Sequence, residues 1–146
     1  MANTFTKFYN MVIEETYLKG CFILKPKIYK DERGCFFESY NKNDFEKMIG
    51  ISVNFVQDNE SRSSKDVLRG LHFQYGEYAQ AKLVRVVKGR VLDVCVDIRR
   101  DSNTFGESFS IILDDIENKQ LFIPRGFAHG VWFQNQETMG KPPWNK

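Results

Sequence analysis

The chain has 146 residues, 42% apolar and 27% charged, the size and balance of one ordinary globular domain. Its 21 basic against 19 acidic residues leave a formal charge of only +2, which excludes the basic surface typical of a nucleic-acid binder. No apolar run approaches the ~18 residues of a membrane helix, and no charged-then-apolar leader opens the chain, so a cytoplasmic protein with no membrane partner is expected.

Residues 1–16 show no clear pattern and are expected to form a loose or partner-docking arm. From Cys21 the pattern becomes short and strand-like. Phe22–Tyr29 is β-prone, with Pro26 marking an edge, and Asp31-Glu32-Arg33-Gly34 reads as a turn. Cys35–Tyr40 reads as a second strand. Asn43-Asp44-Phe45-Glu46 has the form of a capping box, and Phe45, Met48 and Ile49 share one face of a short helix closed by Gly50. Val53–Gln57 and Val67–Gln74 then read as strands. The longest strand signal, Lys82 to Arg99, is interrupted at Lys88-Gly89, where a two-residue turn predicts a hairpin pairing Val87 with Arg90. Alternation places Lys82, Val84 and Val86 on one face with Val91, Asp93, Cys95 and Asp97. Charged groups among apolar ones suit a barrel with a polar interior better than a plain sandwich core. Ser108–Leu113 and Leu121–Pro124 bring the count to about eight short strands, an all-β sandwich or barrel.

The cysteines are Cys21, Cys35 and Cys95. An odd number without C-x-x-C spacing indicates neither a disulfide framework nor a zinc site, and free thiols are expected. Histidine is scarce, with only His72 and His129, so a neutral-pH base has two obvious candidates. His72 sits in a strand whose alternation sends Gly70 and Gln74 to the same face, and Gly70 is small enough for a ligand to approach the backbone. A satisfied core histidine is the alternative. Lys82, on a face with Val84 and Val86, is either an edge-strand charge that blocks aggregation or a desolvated cation for an oxyanion.

Pro124-Arg125-Gly126-Phe127-Ala128-His129 has the form P-x-G-x-x-H and resembles the second motif of the cupin superfamily. Where the first cupin motif supplies H-x-H for a metal, this chain has His72-Phe73-Gln74, so no metal is expected. A closer resemblance extends over about residues 18 to 130. Asp31–Ser39, Phe55–Ser61, Val67–Gln74, Gln80–Arg85, Asp93–Arg99 and Pro124–Gly130 resemble, in order and spacing, the motifs of the dTDP-4-dehydrorhamnose 3,5-epimerases. That resemblance implies an all-β cupin double-stranded β-helix, a jelly-roll barrel, with one short helix. It places the epimerase-like domain at 17–133 and a divergent polar tail at 134–146.

The same resemblance implies an isomerase of rhamnose biosynthesis, acting without a cofactor on a dTDP-linked 4-keto-6-deoxyhexose, as a homodimer. It assigns His72 as the base that removes a proton beside the ketone, and Lys82 as the partner of the resulting enolate oxygen. Arg33 and Arg69 are implied at the diphosphate, Gln57 and Asn59 as hydrogen-bonding groups, Phe36 and Glu38 toward the nucleotide, and His129 in or beside the pocket. In the family a tyrosine returns the proton and a later aspartate orients the base. Counted onward, that tyrosine would fall near Pro142, whereas the last tyrosine is Tyr78 and the last aspartate is Asp115. The expectation is a chain that has lost its original C-terminal segment. The alternatives are a catalytically impaired sugar-nucleotide-binding cupin, or a related 3-epimerase or ketoisomerase.

Overall fold

The computed structural model describes residues 6–8 and 10–134. Among them, two antiparallel sheets face each other. The first contains strands β1 (Thr6–Phe8), β2 (Met11–Glu15), β3 (Phe22–Pro26), β7 (Lys82–Arg85) and β10 (Gln120–Ile123), in the order β1-β2-β3-β10-β7. The second contains β6 (Leu68–His72), β8 (Arg90–Asp97), β9 (Ser108–Asp114) and β11 (Phe127–Gln134), in the order β6-β11-β8-β9. Strands β4 (Tyr29–Asp31) and β5 (Gly34–Phe36) form a separate exposed hairpin. This is the expected all-β jelly-roll with one α-helix.

The interior between the sheets is closed by Leu18, Cys21, Val86, Val91, Cys95, Leu113, Leu121, Ile123 and Phe127. Strand β10 is buried along its whole length because alternation splits its residues between two cores. Leu121 and Ile123 face the interior, while Phe122 joins Met11, Ile13, Leu24, Phe45 and Ile49 beneath the helix. Phe45 stacks edge-on against Phe122 at 5.3 Å and also contacts Tyr40 and Phe55. Part of the chain's phenylalanine content is thus spent fixing the helix to the first sheet.

The helix, α1 (Lys42–Ile49), begins earlier than the capping box suggested. Asn41 is the N-cap, its side chain accepting from the Asp44 N–H, and Gly50 closes the helix at φ +75°. Glu46 instead accepts from the Val53 N–H at 3.0 Å and holds the chain that leaves the helix. Other boundaries also shift. Strand β5 ends at Phe36 rather than Tyr40, and residues 53–57 form no strand.

Two expectations are overturned. The described part of the supposed arm contributes strands: β2 pairs with β3 from Met11↔Pro26 to Glu15↔Phe22, with Met11 and Ile13 buried. Strands β7 and β8 are not a hairpin, since β7 pairs with β10 while β8 pairs with β9 and β11. The turn between them is held from outside: the Gly89 N–H donates to the Asp115 carboxylate at 2.9 Å, and the Asp115 N–H donates back to the Gly89 carbonyl at 3.2 Å. Lys88-Gly89 therefore carries the chain from one sheet to the other. Of the divergent tail expected at 134–146, Gln134 closes β11, and the residues from 135 onward lie outside the described residues. No helix among the described residues is long and apolar enough to cross a membrane.

Candidate active site

The alternation expected for β8 is what furnishes the interior with charge. Val91, Asp93, Cys95 and Asp97 are all buried, while the residues between them are partly exposed. Strand β11 lies against β8 with His129 opposite Cys95 and Val131 opposite Asp93. This register brings the His129 ring to Asp93: Nε2–H donates to the carboxylate, whose oxygens lie 2.9 and 3.0 Å away. Asp93 is fully buried and the His129 side chain is 13% exposed. A carboxylate removed from water needs such a partner, because burying it alone is costly.

On its other edge β11 pairs with β6, and His72 stands opposite His129. Gly70 explains how the strands come so close. A Cβ there would lie 2.6 Å from both the Gly130 Cα and the His129 carbonyl oxygen, and Gly70 has φ +110°. The close approach predicted at Gly70 is made by the backbone of β11, not by a ligand. The register slips between His129 and Val131, just past the His72–His129 pair.

Lys82 arrives from the other sheet. It opens β7, an edge strand, opposite Ile123. The loop from Phe73 to Ala81 joins the end of β6 to the start of β7, so His72 and Lys82 flank the place where the two sheets part. A cavity of about 110 Å³ opens there, lined by His72, Phe73, Gln74, Gln80, Lys82, Gly126 and Phe127. Burial lowers the Lys82 pKa from its ordinary value of 10.5, opposed in part by the charge of Asp93. A partly desolvated ammonium and an accessible imidazole thus share one pocket. His72 is exposed at its mouth, not packed in the core.

The remaining candidates do not line this cavity. Arg33 is exposed at the tip of the β4–β5 hairpin, in an ion pair of 2.6 Å with Asp31, whose carboxyl it holds below its ordinary range. Phe36 is 71% exposed. Glu38 borders a small recess beside α1 with Asn10, Ser39 and Tyr40. The Gln57 amide donates to Asn59 at 3.3 Å on an exposed stretch. Arg69 is exposed on β6 and donates from Nε to the Ser63 hydroxyl at 2.8 Å.

Sequence reasoning did not assign Asp93, Gln80 or Phe127 to the site. For Asp93 a signal existed, since alternation had placed it on the inner face; its partner emerges only once β11 is known to lie beside β8. Gln80 stands two residues before Lys82 and on the same wall.

The fold and the site together define a cupin jelly-roll whose mouth presents a histidine from one sheet and a lysine from the other. Residues 15–140 match the sequence model of the family described as dTDP-4-dehydrorhamnose 3,5-epimerase. The chain belongs to that family. The match runs ten residues past Gly130, so it continues into the segment expected to be divergent. The chain is 56% identical over 120 residues to the dTDP-4-dehydrorhamnose 3,5-epimerase of Salmonella typhimurium and 53% identical over 120 residues to that of Escherichia coli. These alignments cover 82% of this chain but 66% and 65% of the relatives, so the chain spans just under two thirds of their length. The crystal structure of the epimerase from Elizabethkingia anophelis superimposes with a TM-score of 0.83 at 48% identity, covering 88% of this chain and 70% of that one. That of a dTDP-6-deoxy-D-glucose-3,5-epimerase from Legionella pneumophila, in complex with dTDP-4-keto-L-rhamnose, gives 0.82 at 49% identity, covering 86% and 66%.

Proposed function

We propose that this chain is an isomerase of the dTDP-4-dehydrorhamnose 3,5-epimerase type, inverting carbons 3 and 5 of dTDP-4-keto-6-deoxy-D-glucose through enolate intermediates. The observation that carries this reading is that His72 and Lys82 reach one cavity from the edges of opposite sheets. A ketone acidifies the hydrogens on both adjacent carbons, and a histidine is the side chain best matched to remove one near neutral pH. His72 takes the proton, the C–H electrons form a carbon–carbon double bond, and the carbonyl oxygen becomes an enolate. Lys82 faces that oxygen. Burial has stripped its ammonium of part of its water, so its attraction for a new negative charge is stronger than at the surface. Return of a proton from water to the opposite face inverts the carbon, and His72 gives up its own proton to solvent.

In this reading the Asp93–His129 pair braces the strand beside the base, and His129 contacts the sugar. Arg33 and Arg69 take the diphosphate, for which a planar guanidinium is suited. Gln57, Asn59, Phe36 and Glu38 hold the rest of the nucleotide. The exposure of Arg33, Phe36, Gln57, Asn59 and Arg69 leaves them free to engage a ligand that extends outward from the cavity, while Glu38 is half-buried. The chemistry calls only on side chains, without a cofactor.

The working form is a homodimer. β6 is an edge strand, and Leu68, Leu71, Phe73 and Tyr75 stand exposed on it and on the loop that follows. Exposed apolar side chains along an unpaired strand edge favour pairing with another chain, and a second copy would cover them. Light scattering at micromolar concentration would give twice the chain mass; a single-chain mass refutes the dimer. The three cysteines fit a cytoplasmic, reducing setting.

The activity is tested by proton NMR with dTDP-4-keto-6-deoxyglucose in deuterium oxide. Loss of the carbon 3 and carbon 5 signals with formation of the rhamnose-configured ketone supports the proposal. Exchange at carbon 3 alone marks a 3-epimerase, and saturable binding without exchange marks a sugar-nucleotide-binding protein.

A further inference from the structure

Among the buried groups that the proposed chemistry leaves unused, Cys21 and Cys95 stand out. Both are fully buried, and their sulfurs lie 3.8 Å apart. Cys21 immediately precedes β3 of the first sheet and is held by its backbone: its N–H donates to the Leu18 carbonyl at 3.0 Å, and its carbonyl accepts from the Thr16 N–H at 2.9 Å. Cys95 lies within β8 of the second sheet, laddered to His129 on one side and Phe109 on the other. The two thiols therefore meet across the interior, each on a fixed backbone. They also belong to the same packed cluster as Leu18, Val91 and Phe127.

We propose that Cys21 and Cys95 form a dithiol that an oxidant of the peroxide class converts into a disulfide joining the two sheets behind the active-site wall. The sulfurs must close from 3.8 Å to about 2.05 Å. In the first step the Cys21 thiolate attacks a peroxide oxygen; an S–O bond forms, the O–O bond breaks, and hydroxide leaves. In the second, the Cys95 sulfur attacks the sulfur of the Cys21 sulfenic acid. The S–S bond forms, the S–O bond breaks, and the departing hydroxyl takes the thiol proton as water. Two thiols and one hydrogen peroxide give one disulfide and two waters, with two electrons passing from sulfur to oxygen.

The thiol–thiol contact bears on the reactivity of both sulfurs. The hydrogen bond from Cys95 favours the Cys21 thiolate against the opposing effect of burial, while the same bond and burial push the Cys95 thiol up. Because the bridge would close a long loop, it removes much freedom from the unfolded chain.

The test uses the full chain carrying Cys35→Ser, which removes the exposed third thiol. The folded protein is treated with a few equivalents of hydrogen peroxide, alkylated in denaturant and mapped by peptide mass spectrometry. The expected result is a cross-linked peptide pair containing Cys21 and Cys95, cleaved by dithiothreitol, with a melting temperature raised by roughly 5–10 °C. The rise should be absent in the Cys21→Ala and Cys95→Ala variants. Recovery of both cysteines as free alkylated thiols, their oxidation to sulfinic acid without a cross-link, or an equal rise in the single variants overturns the proposal.

Discussion

His129 donates from Nε2 to fully buried Asp93, with the carboxylate oxygens at 2.9 and 3.0 Å, and stands directly opposite His72 on the neighbouring strand. One buried acid thus fixes the ring on the strand that pairs with the proposed base. Asp93→Asn keeps an acceptor for His129 but buries an amide N–H₂ with no assigned partner. The expected cost is about 1–3 kcal/mol of folding stability, read from urea unfolding. The same variant should weaken substrate turnover, since a neutral amide holds the His129 ring less firmly than the carboxylate does. Unchanged stability together with unchanged turnover would remove the pair from this account.

Gly70 sets the distance between the two histidine-bearing strands. A methyl group there meets the Gly130 Cα and the His129 carbonyl at 2.6 Å, and an L-residue is strained at its φ of +110°. Gly70→Ala should cost about 2–3 kcal/mol and reduce turnover beyond what that loss explains at temperatures where the variant stays folded. Thermal melts paired with initial rates provide the check.

Asp97 anchors the turn that follows β8. Burial opposes its ionisation, but bonds from the Arg99 guanidinium and the hydroxyls of Ser102 and Thr104 outweigh it and hold its carboxyl well below the ordinary range. A group depressed in the folded state stabilises the fold above its unfolded value, about 3.9, and that contribution disappears as pH falls through the folded value. Asp97→Asn should therefore cost about 3 kcal/mol near pH 7, and the gap to the parent chain should narrow below about pH 4. Urea midpoints measured across that range decide the matter.

Lys82 gives a prediction on the alkaline side. Burial lowers its pKa from 10.5, so an activity that needs the ammonium should fail at a lower pH than an ordinary lysine would dictate. Lys82→Arg, whose charge persists far higher, should push the alkaline limb of kcat/KM upward even if the rate falls. Asp93 opposes the lowering, so the limb should move further down in Asp93→Asn. A limb that ignores both substitutions would assign it to another group.

The inner face of β8 was legible because alternation is a local property, and Val91, Asp93, Cys95 and Asp97 are buried as the period requires. Strand partners were not legible in the same way. Lys88-Gly89 looks like a hairpin turn, yet β7 and β8 join different sheets, because β10 and β11 lie far along the chain and compete successfully for their edges. The strand Met11–Glu15 was missed since so short a segment carries little pattern; only its contact with β3 reveals it. For the site, His72 and Lys82 were found by motif, and the structure supplied the reason they meet. Asp93 needed the register of β11, which no local pattern contains.

The most direct test of the central claim is the exchange of carbon 3 and carbon 5 hydrogens of dTDP-4-keto-6-deoxyglucose in deuterium oxide, comparing the chain with its His72→Asn variant. The account predicts exchange at both carbons by the unaltered chain and a loss of roughly 10²–10⁴-fold in the variant, with binding of dTDP retained. Exchange that proceeds equally fast without the His72 imidazole would contradict it.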